Sequence, residues 1–332
     1  MMNIIDMHCD TIAGIYRSEK NGEKADLYEN SMRIDLKKLR KGGWLLQNFA
    51  CFVFLREGIS PFEEANGMID TFEKQMALYP DIIRPVTNCA QIEENRKAGI
   101  MSAMLTLEEG GICEGSIDNL KALYGRGARM MSLTWNFKNE LAWPNRVMLN
   151  EDGSRYMIPE TENGLTGTGR EFVEAMEEMG MIVDVSHLGD AGILDVIDMA
   201  KKPFVASHSN ARAVASNPRN LTDEMLKAMG EKGCVAGLNY LPDFLRDYGP
   251  DEDKTARIDD CVRMALYMKN AGGAELVGLG SDFDGFDDGM EWKDASGVPM
   301  IIDALQKAGF TSSEIDKITH ENVLRLYKEI LG

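Results

Sequence analysis

Basic residues are in short supply in this chain of 332. Lysine and arginine number 36 against 54 aspartates and glutamates, a formal charge of −18. Such a balance repels phosphate backbones and anionic membrane surfaces unless a basic patch intervenes, and none is visible, so nucleic acid is not an expected partner. Long apolar runs are missing too: nothing approaches the roughly 20 residues of a membrane span, and the first residues lack the basic-then-apolar pattern of a secretory signal. The six cysteines are dispersed and form no C-x-x-C pair, the usage expected of reduced thiols. No G-x-G-x-x-G follows the first apolar segment, and "GTGREF" (167–172) opens a helical stretch without a strand before it, which disfavours dinucleotide binding. No repeat or low-complexity tract stands out. A soluble, cytoplasmic protein with no membrane partner is the expectation.

What is present is alternation. Short apolar segments at 3–8, 45–53, 101–107, 128–134, 181–187, 203–207, 234–239 and 275–281 suit buried strands. Between them lie amphipathic stretches at 61–79, 169–180 and 255–273, the last ending in a glycine pair suited to a helix C-cap. Eight such units favour an α/β fold closed into a (β/α)8 TIM-type barrel, a single domain over 1–332. The polar, turn-rich segment 136–167 between the fourth and fifth strands is expected as a long loop over the active-site mouth.

Histidine is rarer still, with four in the chain, yet three fall where this fold places chemistry. "NIIDMHCDTI" (3–12) sets Asp6, His8 and Asp10 at alternate positions, which in an extended strand share one face. A lone H-x-D also suits a helix N-cap beside a core histidine. "MIVDVSH" ends in His187 and "KPFVASH" in His208, 21 residues apart against roughly 30 per barrel unit, which predicts two imidazoles at one rim on consecutive strands. Glu108 and Glu109 end the third strand, and Asp282 and Asp284 the eighth, which closure brings beside the first. Either acidic pair could instead cap a helix or turn. Imidazole and carboxylate are the donors catalytic zinc takes, and this set exceeds one open site, which suggests two ions sharing a carboxylate. His320 opens an amphipathic C-terminal helix and is read as a surface or capping residue.

With "DMHCD" (6–10), "LEEGG" (107–111), "GLTGTGREFVEAMEEMGMIVDVSH" (164–187), "ASHSNARAV" (206–214), "NPRNLTDE" (217–224) and "GLGSDFDG" (278–285), the chain resembles the membrane (renal) dipeptidase family of zinc metallopeptidases nearly end to end. The resemblance implies a (β/α)8 barrel with two Zn2+ per chain, hydrolysing dipeptides, including those with a D-residue at the C-terminal position, through a hydroxide shared by the ions. It assigns His8 and Asp10 to one ion, His187 and His208 to the other, and a bridging role to Glu108, preferred over Glu109 because it directly follows the apolar strand. Asp282 would carry the proton to the leaving amine, and Arg219 would pair with the substrate carboxylate. Asn239 and Tyr240 are weaker pocket candidates. Where mammalian members carry a histidine after "LT" that contacts substrate, this chain reads "LTWN", so Trp135 or Asn136 would have to serve there.

The expected partners are a dipeptide substrate and no membrane or nucleic acid, with a homodimer allowed. Other divalent ions share these donor preferences. Two other functions stay open. One is metal-dependent hydrolysis of another amide, such as an N-acyl amino acid, a lactam or a cyclic amide. The other, less favoured, is a catalytically silent binding protein.

Overall fold

The computed structural model describes residues 2–150, 153, 155–249, 251–287 and 289–332. Eight parallel strands close on themselves. In barrel order they are β1 (Ile4–Asp6), β2 (Trp44–Phe52), β4 (Met101–Glu108), β5 (Ala128–Ser132), β8 (Ile182–Asp184), β9 (Val205–Ala206), β10 (Val235–Leu238) and β12 (Val277–Leu279). The last returns to the first through the pair Asp6↔Leu279. All eight segments read as strands are strands, and their near-continuous apolar character is what a parallel sheet covered by helices requires. A short strand absent from the sequence reading, β3 (Ile83–Pro85), pairs with the start of β4.

Three predicted helices form with their punctuation in place. Pro61–Leu78 is capped by the Ser60 hydroxyl. Gly167–Met179 is capped by Thr166 and ends at Gly180, whose φ of 73° is left-handed. Ile258–Gly272 ends at Gly273, φ 91°. Both glycines supply the backbone freedom a helix C-terminus needs. The C-terminal helix Asn322–Leu331 closes the bottom of the barrel, packing Val323, Leu326, Tyr327 and Ile330 with Ile5, Met7, Met104, Met130, Ile182, Val205 and Val235. His320 lies in the turn before it, half-buried, with Nδ1 3.0 Å from the Thr319 hydroxyl.

The segment 136–167 is more ordered than an irregular loop. It contains an antiparallel hairpin of β6 (Arg146–Leu149) and β7 (Arg155–Ile158), and it is tied to the rim by the bridges Ala142↔Leu165 and Pro144↔Leu188. A second small pair, β11 (Thr255–Ala256) with β13 (Gly289–Met290), braces the opposite side. Among the described residues, no helix is long and apolar enough to cross a membrane, and all six cysteines are free thiols.

Candidate metal centre

The expected run of Asp6, His8 and Asp10 along one strand face needs correction. Regular pairing in β1 stops after three residues, at Asp6, so the period of two does not carry forward to His8 and Asp10. Ile5 and Met7 join the barrel-floor cluster, while Asp6 turns into the β1–β12 seam, accepting the Ser281 N–H at 2.8 Å and the Ser281 hydroxyl at 2.6 Å. The ladder resumes for one bridge, Cys9↔Phe283. His8 and Asp10 therefore reach the mouth on either side of Cys9, which is held between the two neighbouring strands.

At the C-terminal mouth the remaining candidates converge. The Nε2 of His8 lies 3.3 Å from Asp10 Oδ2, 3.5 Å from Glu108 Oε2 and 3.8 Å from Asp282 Oδ1. The other Glu108 oxygen, Oε1, lies 3.0 Å from His187 Nε2 and 3.8 Å from His208 Nε2. One carboxylate thus faces two groups of donors with different oxygens. Its neighbour Glu109 turns away with φ 101° and accepts the N–H groups of Gly111 and Trp135 at 2.7 Å each, as well as the Asn139 amide. Of the doubled glutamate, Glu108 faces the histidines of the mouth and Glu109 lies in the wall behind it.

Backbone strain concentrates here. His187, Asp282 and Asp284 join Glu109 in left-handed conformations, with φ of 70°, 60° and 68°. Each such residue costs about 1–3 kcal/mol and persists only where its surroundings over-determine it. Asp284 shows how: its carboxylate accepts the Thr11 hydroxyl and the Arg33 N–H, both at 2.6 Å, which fixes the rim directly beside Asp10.

Burial and close approach shift the titration of these groups in opposite directions. Burial pushes the Glu108 carboxyl up to about 7 against the pull of His8, and Asp282 up to about 6 for the same reason. Burial disfavours charge on His8, yet the facing Glu108 and Asp10 carboxylates outweigh it and hold the imidazole well above its ordinary range. His187 and His208 go the other way, pushed well below theirs by burial and then by the positive Arg219 and His8. Two neutral imidazoles therefore point nitrogens at each other across 2.9 Å. The buried Asp10 Oδ1 has no hydrogen-bond partner. Orphaned donors of this kind suit metal ions, and two overlapping sets of three, His8–Glu108–His208 and His8–Asp10–Asp282, lie within coordination reach.

A cavity of about 500 Å3 opens over these groups, lined on one side by Phe52, Trp135 and Met157 and on the other by Arg219, Leu241 and Phe244. Arg219 is 5% exposed. Its Nη1 donates to the Ser209 hydroxyl at 3.1 Å, while Nε and Nη2 have no partner. Burial lowers its pKa to about 10, so it stays charged at neutral pH. Trp135 stacks near Phe52 and His187. Asn136 lines the cavity, and its side-chain Oδ1 sits 3.0 Å from His187 Nδ1, so its carbonyl orients an imidazole while the amide NH2 remains a donor.

Tyr240 also needs correction. It is 1% exposed and packs edge-on against Phe283 and Trp292, and the cavity wall is formed by the next residue, Leu241. Strand β10 ends at Leu238, so the chain has left the ladder before Tyr240 and strand alternation does not set which residue faces the cavity. Asn239 is fully buried, and its amide donates to Asp282 Oδ2 at 3.0 Å and to the His208 carbonyl at 3.1 Å. The sequence reading missed Met157 on β7, and Leu241 and Phe244 at the short helix Pro242–Leu245, apolar residues outside the barrel strands that line the mouth.

Comparison with known proteins agrees with this geometry. Residues 1–331 match the family model described as membrane dipeptidase, peptidase family M19. An uncharacterized protein from the pqqA 5′ region of Klebsiella pneumoniae is 33% identical over 79% of this chain and 97% of its own length. An uncharacterized dipeptidase of Schizosaccharomyces pombe is 29% identical over 91% of this chain and 74% of its own. Among solved structures, a metallopeptidase described as dipeptidase AC superposes with a TM-score of 0.89 at 26% identity, covering 100% of this chain and 99% of that one. A Rhodobacter sphaeroides metallopeptidase, bound to a phosphinate mimic of the dipeptide L-Ala-D-Ala, has the same fold, with a TM-score of 0.86 at 23% identity over 99% of each chain. The protein is a metallopeptidase and belongs to the membrane dipeptidase family, peptidase family M19.

Proposed function

We propose that the protein is a binuclear zinc dipeptidase that cleaves the single peptide bond of dipeptides, including those with a D-residue at the C-terminal position. The observation that carries this reading is the division of the Glu108 carboxylate between His8 on one side and the His187–His208 pair on the other, a bridging geometry with Asp10 completing the first group. The Rhodobacter relative, bound to its L-Ala-D-Ala mimic, supports the stereochemical part.

The chemistry that two such ions supply when bound is Lewis acidity toward the scissile carbonyl and a lowered pKa of water. The chain's own residues do the rest. His8, Asp10, Glu108, His187 and His208 hold the ions. Arg219, with two donor nitrogens unpartnered in a buried wall, receives the substrate carboxylate in the bidentate manner a guanidinium allows, which limits the substrate to a free C-terminus one residue beyond the cleaved bond. Asp282, raised to about 6 and gripped by Asn239, accepts a proton at its carboxylate and delivers it to the leaving amine nitrogen. Trp135 and Phe52, with the hairpin segment 136–167 over the mouth, exclude bulk water. Six free cysteines suit action in the cytoplasm.

Purified protein should contain close to two zinc ions per chain and hydrolyse L-Ala-D-Ala and L,L-dipeptides in preference to N-acyl amino acids and cyclic amides. Equal or better turnover of the acylated compounds would replace the reading with that of a different amide hydrolase.

A further inference from the structure

Asp6 opens the most distinctive stretch of the sequence, yet it holds no place in the centre. Its counterpart elsewhere in the barrel explains why. Asp184 ends β8 as Asp6 ends β1, and both are buried. Just past the end of an adjacent strand, β12 for Asp6 and β9 for Asp184, each meets a serine that immediately precedes a residue of the site. Asp6 takes the Ser281 N–H on Oδ1 and the Ser281 hydroxyl on Oδ2, ahead of Asp282. Asp184 takes the Ser207 N–H on Oδ1 at 2.9 Å and the Ser207 hydroxyl on Oδ2, ahead of His208. Each also accepts an N–H from its own chain two residues on, His8 at 3.5 Å and Ser186 at 2.9 Å. The same staple thus occurs at two separate seams, joining His8 to Asp282 and the His187 segment to His208.

Donor and acceptor rules give the second staple a chemical consequence. The Ser207 hydroxyl donates its one proton to Asp184 Oδ2. The Ser207 oxygen lies 2.7 Å from His208 Nδ1 and can then only accept from it. That places the His208 proton on Nδ1 and leaves a lone pair on Nε2, the nitrogen that faces Glu108 and His187. At the first seam the Ser281 oxygen accepts the Phe283 N–H at 3.1 Å, which shapes the turn where Asp282 takes its left-handed backbone.

We propose that Asp6 and Asp184 are positioning residues, which act through Ser281 and Ser207 to set the placement of Asp282 and the tautomer of His208. This rests on the metallopeptidase reading of the site. The two staples should fail differently, because one serves a proposed ligand and the other a proton carrier.

The test compares S207A, S207T, D184N and S281A with the wild type by three measurements. They are nitrogen-15 NMR of the metal-free imidazoles, zinc affinity by chelator competition, and the visible spectrum of the cobalt-loaded protein. S207A should mix the His208 tautomers, weaken zinc binding about 10–100-fold and alter the cobalt spectrum. D184N should do the same, and S207T should restore all three. S281A should keep zinc affinity and KM and lower kcat. An unchanged Nδ1–H tautomer with unchanged zinc affinity in S207A would overturn the proposal, whether or not D184N folds. Wild-type protein that neither binds zinc nor cleaves any dipeptide would overturn the enzymatic reading instead, and the tautomer in S207A would still decide this one.

Discussion

The Nε2 atoms of His187 and His208 stand 2.9 Å apart, each within 4 Å of the same Glu108 oxygen. Both rings are held neutral by burial, so the pair offers two lone pairs to one point. Replacing either histidine by alanine should therefore remove one ion and leave the other group of donors in place. Elemental analysis of His208→Ala should give about half the wild-type zinc, with dipeptide turnover lost; full zinc content with normal turnover would exclude these imidazoles as ligands.

Zinc binding should stabilise the fold, because ions that bind only the native state shift unfolding by mass action. At free zinc about 1,000 times the dissociation constant the gain is about 4 kcal/mol. Differential scanning calorimetry before and after chelation measures it directly. An identical Tm in both states would mean the centre takes up no metal.

Protons compete with metal for these donors. Burial raises Glu108 to about 7 and Asp282 to about 6, and the facing carboxylates raise His8 above its ordinary value, so loading must expel protons from them below those values. His187 and His208 are already neutral and release none. Zinc affinity should rise as pH rises through about 6 and about 7, most steeply on the acid side where most of these groups carry protons. Titration calorimetry at pH 6 in buffers of different ionisation enthalpy counts the released protons, and a count of zero would contradict the charge distribution described above.

Arg219 buries a guanidinium with two unpartnered nitrogens. Its replacement by methionine should cost about 1.5–3 kcal/mol in kcat/KM, the range of a hydrogen bond to a charged group, which is roughly tenfold to 150-fold. The variant should lose its preference for dipeptides over dipeptide amides. Retained preference would place the carboxylate elsewhere.

Gly285 has no room for a side chain: a Cβ there would lie 2.4 Å from Asp282 Oδ1 and 2.6 Å from Asp10 Oδ2. Gly285→Ala should displace both carboxylates and abolish most turnover while the thermal unfolding of metal-free protein changes little. A fully active alanine variant would show that Asp282 can move without consequence for the reaction.

Much of the architecture was legible because parallel strands sealed by helices leave an unambiguous mark. The apolar segments at 45–53 and 101–107 are buried on both faces, and β2 and β4 follow them almost residue for residue. The residues at their C-terminal ends were legible for the same reason, since His187, His208 and Glu108 each break an apolar run. Strand β3 was not, because its three residues include Arg84 and Pro85 and carry no periodicity.

Residue type and order along the chain determined which donors exist and which strand carries each. Tertiary structure decided where each one faces. Side-chain period holds only while a strand stays in its ladder, and β1 leaves it at Asp6, so the roles of Asp6, His8 and Asp10 separate at a point no pattern marks. The same holds for Tyr240, whose ring is placed by packing against Phe283 and Trp292, and for Asn136, whose Oδ1 meets the ring of His187 51 residues away. A barrel sums eight local decisions, and its mouth is the one place where all eight must agree.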